Sequence, residues 1–473
     1  MDSPALGFSV STAAMQPAST GLSFHQLYRR RQRVTALNLS YLCLQATISP
    51  RIGNLSFLVL LDLSNNSFSG FLPHEIRSLR RLRILRLSFN KLEGRIPPSI
   101  HQCRELRRVY LRGNYLTGAI PSSFRNMSSL ELLNLEGNSL SGPVALGIFN
   151  ISSLIVIALT DNHLSGNLPT NLYSHCPNLQ GLYLSSNEFS GQLPSQLNLS
   201  CRELVILSLS YNKFNGSIAE GFGSLEKLEV LHLGGRRHSN NITGNIPTTI
   251  SNLSRLQEPF HSRNHIKGSI PNSELSCPNL ELLLAAGNSL SGHIPYYLSN
   301  CFKLIYLDFS ANLFSGPIPK CFGTLEDLQV LSLDGNKLTG KSGDQVLSFL
   351  STLSNCRFLE RLTMSFNPLN IIIPDSVGNF SASLKTIDAS QSQLKGHIPM
   401  GISSLKGLTF LDLSNNNLSG SIPSTLGGIE GLQRLYLRDN KLEGIIPDDL
   451  CQLRNLGELF LSNNKISGSI PNC

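Results

Sequence analysis

The sequence predicts an α/β repeat protein, a solenoid of about 18 coils with a parallel β-sheet along its concave side. The first observation is an Asn that recurs with a strict period of 24 residues, at Asn66, Asn90, Asn114, Asn138 and Asn162. The second is the alternation of apolar residues before each Asn, as in Leu61 and Leu63. The third is a Gly-x-Ile/Leu-Pro sequence after the Asn, intact in thirteen repeats. Repetition at a fixed period of roughly 20 to 50 residues is typical of solenoids.

Each position of the repeat has a physical reason. Leu61 and Leu63 alternate on a short strand and point inward, while the residues between them face solvent. Asn66 ends the strand, and we expect its side chain to bond backbone groups in the turn and in the neighbouring coil. Gly70 allows a sharp turn, and Pro73 stops strand pairing and begins the outer segment. Because one coil cannot bury its own apolar face, its neighbours must supply the core.

Composition and charge exclude several classes of protein. Charged residues make up 15% and hydrophobic residues 41% of the 473 residues, which is too apolar for a disordered chain and too polar for a polytopic membrane protein. The net charge of +8 is mild for this length, so neither nucleic-acid binding nor membrane-surface binding is predicted. The sequence has no apolar stretch long enough to span a bilayer, and its first residues lack the features of a secretory signal.

No catalytic or metal site is predicted. The chain lacks a Gly-rich phosphate loop and the Val-Ala-Ile-Lys, His-Arg-Asp and Asp-Phe-Gly motifs of kinases. The eleven His are scattered and Ser is abundant because the repeat requires it, so no motif supports a hydrolase. No two Cys or His have the spacing of metal ligands. We therefore expect a protein that is not an enzyme and that binds neither a metal nor a cofactor.

The repeat is irregular at several points. Residues 236–239 are inserted into one repeat, and residues 341–358 interrupt the array further on. Pro259 and His261 stand where inward-facing Leu residues are expected. A Pro removes a hydrogen-bond donor from a sheet, and a buried His needs a partner or must stay neutral. The last repeat is cut short at Cys473.

Three stretches resemble a known family. Residues 418–423, Leu-Ser-Gly-Ser-Ile-Pro, resemble the mark of the plant-type leucine-rich repeat. Residues 32–40, Gln-Arg-Val-Thr-Ala-Leu-Asn-Leu-Ser, resemble the opening repeat in the twelfth subfamily of plant leucine-rich-repeat receptor-like serine/threonine kinases. Residues 349–356, Phe-Leu-Ser-Thr-Leu-Ser-Asn-Cys, resemble a short island typical of that subfamily. The resemblance implies a right-handed leucine-rich-repeat solenoid with short helical or irregular outer turns.

The resemblance also implies a function. The chain would be the ligand-binding ectodomain of a plant immune or developmental receptor kinase, outside the cell or at the plasma-membrane face. Its partners would be a peptide or protein ligand and a co-receptor leucine-rich-repeat kinase. Two alternatives stay open. One is a free-standing secreted leucine-rich-repeat protein, such as a polygalacturonase inhibitor or a receptor-like protein, and the other is a non-functional gene fragment.

The departures from the family lie at the two ends. Such receptors usually begin with a signal peptide and a capping segment that contains a Trp-x-Gly-Val-x-Cys motif, whereas here Phe24 stands in place of the Cys. We therefore expect residues 1–31 to be a degenerate or mispredicted N-terminal cap and residues 32–473 to form the array. We also expect the chain to lack the membrane and kinase parts of the family.

Ligand contacts are predicted on the concave face, where strand residues are exposed and free to vary. Two clusters there combine Arg with aromatic residues, which often anchor interfaces, and Arg can bind a carboxylate through two hydrogen bonds. The first cluster consists of Arg86, Phe89, Arg108, Tyr110 and Arg112, with Arg86 level with Tyr110. The second cluster consists of Arg434, Tyr436, Arg438 and Phe460. A solvated charged face is the alternative interpretation of each.

Some Cys and Asn residues are candidates for disulfide bonds and for glycosylation. Six Cys occupy an outer-turn position where Cys behaves as a small buried apolar residue, namely Cys103, Cys176, Cys201, Cys277, Cys301 and Cys356. Free thiols are the favoured interpretation, although Cys277 with Cys301, and Cys176 with Cys201, lie in adjacent coils and could bond. Among eleven Asn-x-Ser/Thr sequons, the glycosylation candidates are Asn54, Asn126, Asn150, Asn252 and Asn379.

Overall fold

The computed structural model describes residues 33–168, 177–194, 201–235, 240–259, 263–271, 277–341, 343 and 346–472. Within these residues the chain winds through stacked coils, and eighteen of them contribute a strand to the concave face, which confirms the predicted solenoid. The predicted cap at 1–31, the insertion at 236–239 and His261 lie outside the described residues. None of the described helices is long and apolar enough to cross a membrane.

The concave sheet is built from short parallel strands, one from each coil, in ladders of ten and eight strands. The ladder of ten contains Ala36–Asn38, Leu60–Asp62, Ile84–Arg86, Arg108–Tyr110, Leu132–Asn134, Val156–Ala158, Gly181–Tyr183, Ile206–Ser208, Val230–His232 and Glu258–Pro259. The ladder of eight contains Leu282–Leu284, Tyr306–Asp308, Val330–Ser332, Arg361–Thr363, Thr386–Asp388, Phe410–Asp412, Arg434–Tyr436 and Glu458–Phe460. The register advances by one repeat per strand, so Leu61 pairs with Leu85 and Leu85 with Val109.

A second, lateral set of parallel strands follows the Asn of each coil, and the sequence analysis did not predict it. Eight of these strands form one sheet: Ser69–Phe71, Lys91–Gly94, Tyr115–Gly118, Ser139–Pro143, His163–Asn167, Glu188–Gln192, Lys213–Ser217 and Asn241–Thr243. Two sheets of four contain Lys267–Gly268, Ser289–Gly292, Leu313–Pro317 and Lys337–Thr339, and Lys395–Gly396, Asn417–Gly420, Lys441–Gly444 and Lys465–Ile466. The stacking that builds the concave sheet also brings these extended segments within pairing distance.

Most lateral strands contain a Gly, which is needed for two reasons. Gly94 has a φ of +73°, in the left-handed region that favours glycine. In most coils the residue after this Gly also places its side chain on the Gly of the next coil. A Cβ added to Gly94 would lie 2.3 Å from Cδ1 of Phe71, and one added to Gly118 would lie 3.0 Å from Cγ of Arg95.

Short helices form the outer turns, as predicted. Most are 3-10 helices, at Pro50–Asn54, His74–Ser78, Pro98–Gln102, Ser122–Asn126, Leu146–Ile148, Glu220–Ser224, Thr248–Asn252, Tyr296–Asn300, Lys320–Thr324, Leu353–Asn355, Asp375–Asn379, Met400–Ser404, Ser424–Gly428 and Asp448–Gln452. One α-helix spans Ser348–Thr352. The Pro of the repeat precedes the helix in most coils; Pro73, for example, has a φ of −67° and a ψ of 141°. Its fixed φ therefore begins the outer turn after the lateral strand.

The recurring Asn joins neighbouring coils. Nδ2 of Asn90 donates to the carbonyl oxygens of Leu63 at 2.9 Å and Leu87 at 3.0 Å, and its Oδ1 accepts from the backbone N–H of Phe68 at 2.9 Å. This confirms the role predicted for the Asn. Where Ser392 replaces it, the Ser hydroxyl still donates to the carbonyl oxygen of Met364 at 3.0 Å.

The irregular repeats change the solenoid in two different ways. The concave sheet divides into its two ladders after Pro259, which has no N–H to donate. In the interruption at 341–358, Leu347, Phe349 and Leu350 are buried and join the core. The interruption therefore adds a short helix to an outer turn, and the apolar residues of this helix are buried.

The outer-turn cysteines divide into thiols and a disulfide. Cys103 and Cys356 are buried thiols, and burial raises the pKa of each to about 12. Cys277 and Cys301 form a disulfide between adjacent coils, with Cα atoms 4.9 Å apart, so the expectation of free thiols is wrong for this pair. Equivalent positions of stacked coils lie within bonding distance, which permits the bond. Cys176 lies outside the described residues.

Candidate ligand-binding surface

The register of the concave sheet brings the first predicted cluster together. Asp62, Arg86 and Tyr110 occupy the same position in three consecutive strands, so Arg86 is level with Tyr110 as predicted. The guanidinium carbon of Arg86 lies 5.4 Å from the ring centroid of Tyr110. Its Nη1 atom lies 3.5 Å from Oδ2 of Asp62. Arg86 is therefore held between an acidic and an aromatic side chain of the two neighbouring coils.

The other two arginines of this cluster also face carboxylates. Nε of Arg108 lies 3.5 Å from Oε2 of Glu131, and Nη1 of Arg112 lies 3.2 Å from Oε2 of Glu136. The guanidinium carbon of Arg112 also lies 5.5 Å from the ring centroid of Phe89, which is exposed. Every arginine of the first cluster thus has an acidic partner in the same chain, which reduces its capacity to bind an anionic ligand.

Burial changes the acidity of groups beside this cluster. Burial raises the pKa of Glu136, while the charge of Arg112 and a hydrogen bond with Asn134 oppose the rise. Burial also raises the pKa of Tyr183, and the nearby charge of Glu136 adds to the rise. The charge of Glu136 therefore influences the hydroxyl of Tyr183.

Small hydroxyl groups line the middle of the concave face. The hydroxyl of Ser185 lies 2.7 Å from that of Ser208, which lies 3.4 Å from Nδ1 of His232. All three residues are buried. These short side chains bond one another and present little surface to a ligand.

Acidic side chains follow in later coils. Asp308, Asp388 and Asp412 each accept hydrogen bonds from the backbone N–H and the hydroxyl of the Ser two residues on. Asp334 accepts hydrogen bonds from a Thr and a Ser of the next coil. Burial raises the pKa of Asp308 and Asp334 against these hydrogen bonds. Burial, with smaller contributions from Asp412 and Asp334, raises the pKa of Asp388 to about 6. Among the described residues, no group of three or more His, Cys, Asp or Glu could hold a metal ion.

We expect Asp388 to make the stability of the fold depend on pH. Its pKa is about 6 in the folded chain against an ordinary value of 3.8. Between these values the folded chain binds more protons than the unfolded chain, so the free energy of unfolding falls as pH rises through this range. Asp388→Asn removes the charge but keeps an oxygen that accepts from Ser390. The variant should therefore have a higher Tm at neutral pH and a flatter profile of Tm between about pH 4 and pH 7.

Thermal unfolding followed by circular dichroism measures this profile. Asp448→Asn, at an exposed position of an outer turn, removes the same charge and is the matched control. Equal flattening of the profile in both variants would show that net charge, rather than the buried Asp388, causes the effect.

The second predicted cluster centres on stacked aromatic rings. The ring centroid of Tyr436 lies 5.4 Å from that of Phe410, edge to face, and 4.7 Å from that of Phe460 in a stacked arrangement. The hydroxyl of Tyr436 donates a hydrogen bond to the carboxylate of Glu458. Sequence reasoning places Tyr436 among the exposed residues, but these neighbours leave it 6% exposed, whereas Phe460 is 46% exposed. Tyr436 therefore supports the surface that Phe460 forms.

Arg434 provides the positive charge of the second cluster. Its guanidinium carbon lies 4.6 Å from the ring centroid of Phe410. No carboxylate of the described residues lies within 4.0 Å of its guanidinium nitrogens. Nε of Arg438 lies 3.8 Å from Oδ2 of Asp439, which is a loose ion pair. Arg434 thus lies on an aromatic support and forms no ion pair within 4.0 Å with any described residue, unlike the arginines of the first cluster. Its neighbour in the next strand, Glu458, accepts a hydrogen bond from Tyr436 instead.

Sequence reasoning missed the partners of both clusters, although the repeat contains the signal for them. The missed partners are Asp62, Glu131, Glu136, Phe410 and Glu458. Asp62 precedes Arg86 by 24 residues, and Phe410 precedes Arg434 by the same number. In regular coils, residues one period apart are neighbours on the same face, so the period could have identified most of these partners.

The sequons proposed for glycosylation lie in outer turns. Asn54, Asn126, Asn252 and Asn379 are the last residues of 3-10 helices, and Asn150 closely follows another. All five are exposed. Glycans at these positions would point away from the concave face.

Two family models, both described as leucine-rich repeat, match this chain. One matches residues 104–164 and 406–466. The other matches residues 57–79, 81–103, 178–199, 203–225 and 303–325. The matched segments cover coils in both ladders of the concave sheet.

Known structures and proteins resemble the chain to different extents. The plant peptide hormone receptor RGFR1, solved in complex with RGF2, is 31% identical with a TM-score of 0.70, over 94% of this chain and 82% of that one. The Arabidopsis receptor kinase HAESA, solved with the peptide hormone IDA and the co-receptor SERK1, is 29% identical with a TM-score of 0.71, over 92% of this chain and 79% of that one. The LRR receptor-like serine/threonine-protein kinase EFR of Arabidopsis thaliana is 53% identical over 51 residues, which is 11% of this chain and 5% of EFR.

Stacked coils with a parallel concave sheet, joined by Asn side chains and bounded by short outer helices, define a recognition solenoid. The chain belongs to the leucine-rich-repeat family. Its coils are similar to those of plant receptor-kinase ectodomains, and its match to EFR spans a small part of that protein's length. The described region contains the repeat fold without a catalytic domain.

Proposed function

We propose that this chain is the ligand-binding ectodomain of a plant leucine-rich-repeat receptor-like kinase and binds a peptide or protein segment on its concave face, outside the cell. The likeness to RGFR1 and HAESA supports the proposal, because each was solved in complex with a peptide hormone and matches more than nine-tenths of this chain. The match to EFR and the stretches at 32–40 and 349–356 support a place in the twelfth subfamily. The kinase activity of such a receptor would belong to a part other than this region.

The second cluster carries the proposal for the contact site. Arg434 forms no ion pair within 4.0 Å among the described residues and is supported by Phe410, while the exposed ring of Phe460 lies one coil away. Glu458, its neighbour in the next strand, is bonded to Tyr436. A peptide carboxylate could accept two hydrogen bonds from the guanidinium, and an apolar side chain of the peptide could pack on the ring. The first cluster is a weaker candidate because Asp62, Glu131 and Glu136 already neutralise its arginines.

A display library of random peptides tests this proposal without knowledge of the natural ligand. We expect selection on the purified chain to yield peptides that carry an acidic group and an apolar group. Arg434→Gln should weaken their binding about tenfold or more, because it removes a charge-assisted hydrogen bond, and should leave Tm unchanged. Surface plasmon resonance measures the affinity.

Arg361→Gln is the matched control, because Arg361 occupies the same strand position as Arg434 three coils earlier. If the selected peptides bind Arg434→Gln and Arg361→Gln equally well, the second cluster is not their binding site. Failure to select any peptide would contradict the proposed function itself.

A co-receptor is part of the same proposal. The HAESA structure contains SERK1 together with the peptide hormone. This chain matches HAESA over 92% of its own length and 79% of the HAESA chain. By analogy, a second leucine-rich-repeat kinase ectodomain would associate with this chain when the peptide is bound. Co-elution of the two ectodomains should therefore depend on a selected peptide.

A further inference from the structure

The positive charge of the chain is concentrated in one quarter of its length. Residues 33–136 contain 14 Lys and Arg against 6 Asp and Glu, a net charge of +8, whereas residues 137–473 contain 22 against 24. Thirteen of those fourteen basic residues are Arg. Because each coil contacts only its neighbours, residues close in sequence stay close in space, and this charge lies at one end of the solenoid.

Five of these arginines lie on one flank of the solenoid, where the chain returns from an outer turn to the concave sheet. Arg77 is in the outer helix His74–Ser78, and Arg80 and Arg81 follow after Leu79. Arg104 occupies the position of Arg80 one coil later, and Arg33 occupies the position of Arg81 two coils earlier. We name these five residues the basic flank. All are exposed, and none has a carboxylate of the described residues within 4.0 Å of its guanidinium.

An aromatic ring orders part of the basic flank. The guanidinium carbons of Arg33 and Arg81 lie 4.1 Å and 4.4 Å from the ring centroid of Phe57, from the coils on either side of it. This arrangement fixes two guanidinium groups in a row along the solenoid axis. It also covers the ring, so Phe57 has no free face on which a ligand could stack.

The sequons leave the centre of the basic flank clear. The outer helices of its two central coils end at Ser78 and Gln102, which are not glycosylation sites. The nearest sequons in outer turns, Asn54 and Asn126, are one coil away on either side. A window of two coils with unpaired guanidinium groups therefore stays accessible between any glycans.

We propose that the basic flank binds a linear acidic polysaccharide, a polymer of uronic-acid sugars. Guanidinium groups match carboxylates through paired hydrogen bonds, which suits a surface rich in Arg. Equivalent positions recur at each coil, about 5 Å apart, and Arg80 and Arg104 occupy one of them in adjacent coils. Glu105, one coil after Arg81, is paired with Arg83. A polymer with one carboxylate on each sugar presents negative charge in the same repeated manner.

Two other polyanions fit this surface less well. Binding of single-stranded nucleic acid relies on bases that stack on aromatic rings, and both faces of Phe57 are covered. Stable binding to a lipid bilayer needs exposed apolar side chains in addition to positive charge, whereas Ile76, Leu79 and Leu82, which lie between these arginines, are buried. The charge and shape of the flank therefore favour the polysaccharide.

Isothermal titration calorimetry with an oligogalacturonate of defined length tests the proposal. A variant with Arg77→Gln, Arg80→Gln, Arg81→Gln and Arg104→Gln should bind at least about tenfold more weakly at physiological salt. The slope of log K against log salt concentration should also become shallower by about 2 to 4. The four side chains are exposed and only Arg81 packs on a ring, that of Phe57, so Tm should change little. The pair Arg80→Gln and Arg104→Gln leaves this contact in place and should weaken binding to a smaller extent.

The matched control removes four positive charges from equivalent positions of later coils. It combines the substitutions Lys303→Gln, Arg357→Gln, Lys406→Gln and Arg454→Gln, all at exposed residues just after an outer turn. This control should bind oligogalacturonate within about twofold of the unmodified chain. An equal loss in both variants would overturn the proposal, since net charge alone would then explain the binding.

Competing ligands complete the test. No binding of oligogalacturonate at physiological salt would overturn the proposal. Tighter binding of single-stranded DNA, or of vesicles that contain an anionic phospholipid, at the same salt concentration would also overturn it. The proposal is independent of the peptide site, and Arg434→Gln should leave oligogalacturonate binding unchanged.

Discussion

The Asn212→Ala variant is expected to lose about 3 kcal/mol of unfolding free energy. Asn212 is 1% exposed, and its Nδ2 donates to the carbonyl oxygens of Leu184 at 2.9 Å and Leu209 at 3.1 Å. Its Oδ1 accepts from the backbone N–H of Phe189 at 3.0 Å. Alanine would leave these buried groups without partners, and each such group costs about 1 to 3 kcal/mol. Urea-induced unfolding measures the loss.

Asn464→Ala is the control for this prediction. Asn464 makes the same bonds, to the carbonyl oxygens of Leu437 and Leu461 and from the N–H of Leu442. It is only partly buried, in the last described coil, so water can replace its side chain. We expect less than half the effect of Asn212→Ala. Equal losses of unfolding free energy in the two variants would mean that the burial of the Asn does not determine how much it stabilises the fold.

Removal of the Cys277–Cys301 disulfide, by Ala at both positions, is expected to cost a similar amount. The bond closes a loop of 24 residues, and the loss of chain entropy in the unfolded state corresponds to about 3 kcal/mol. The bond joins the two coils that follow the break in the concave sheet at Pro259, where strand pairing is interrupted. Thermal unfolding with and without reductant measures the effect.

A reductant should lower the Tm of the unmodified chain by more than that of the double variant, in which Cys451 is still disulfide-bonded. Cys103→Ala, which removes a buried thiol that forms no disulfide, should keep the sensitivity to reductant. If reduction affected the double variant and the unmodified chain equally, the Cys277–Cys301 bond would not be the source of the stability.

The concave sheet, the bonds of the Asn and the outer turns could be predicted because each follows from one repeat and its period. The lateral strands could not be predicted in the same way. Residues such as Ser69 and Phe71 show no alternation of apolar and polar side chains, and they pair only because the stacked coils hold them together. Their register also differs, since Ser69 pairs with Lys91, 22 residues on, and not 24.

The position of the candidate site could be predicted from the sequence, but the partners of its arginines could not all be predicted. The period places Arg86 beside Tyr110, but a concave residue contacts coils on both sides, and its partners decide whether its charge is free. Arg434 and Arg112 look alike in the sequence, yet only Arg112 faces a buried acid. Where the array is interrupted, the spacing fails as a guide: Asp334 bonds Thr363, 29 residues away.

The glycine found in most lateral strands has a consequence for how this surface can evolve. Because the side chain that follows one Gly rests on the bare backbone of the next coil, its size and polarity are not constrained by a packed neighbour. Phe71, Arg95, Ala119, Pro143 and His293 all occupy this position without altering the strands around them. Natural selection can therefore change the chemical character of the lateral surface one coil at a time, by single substitutions that leave the hydrophobic core intact.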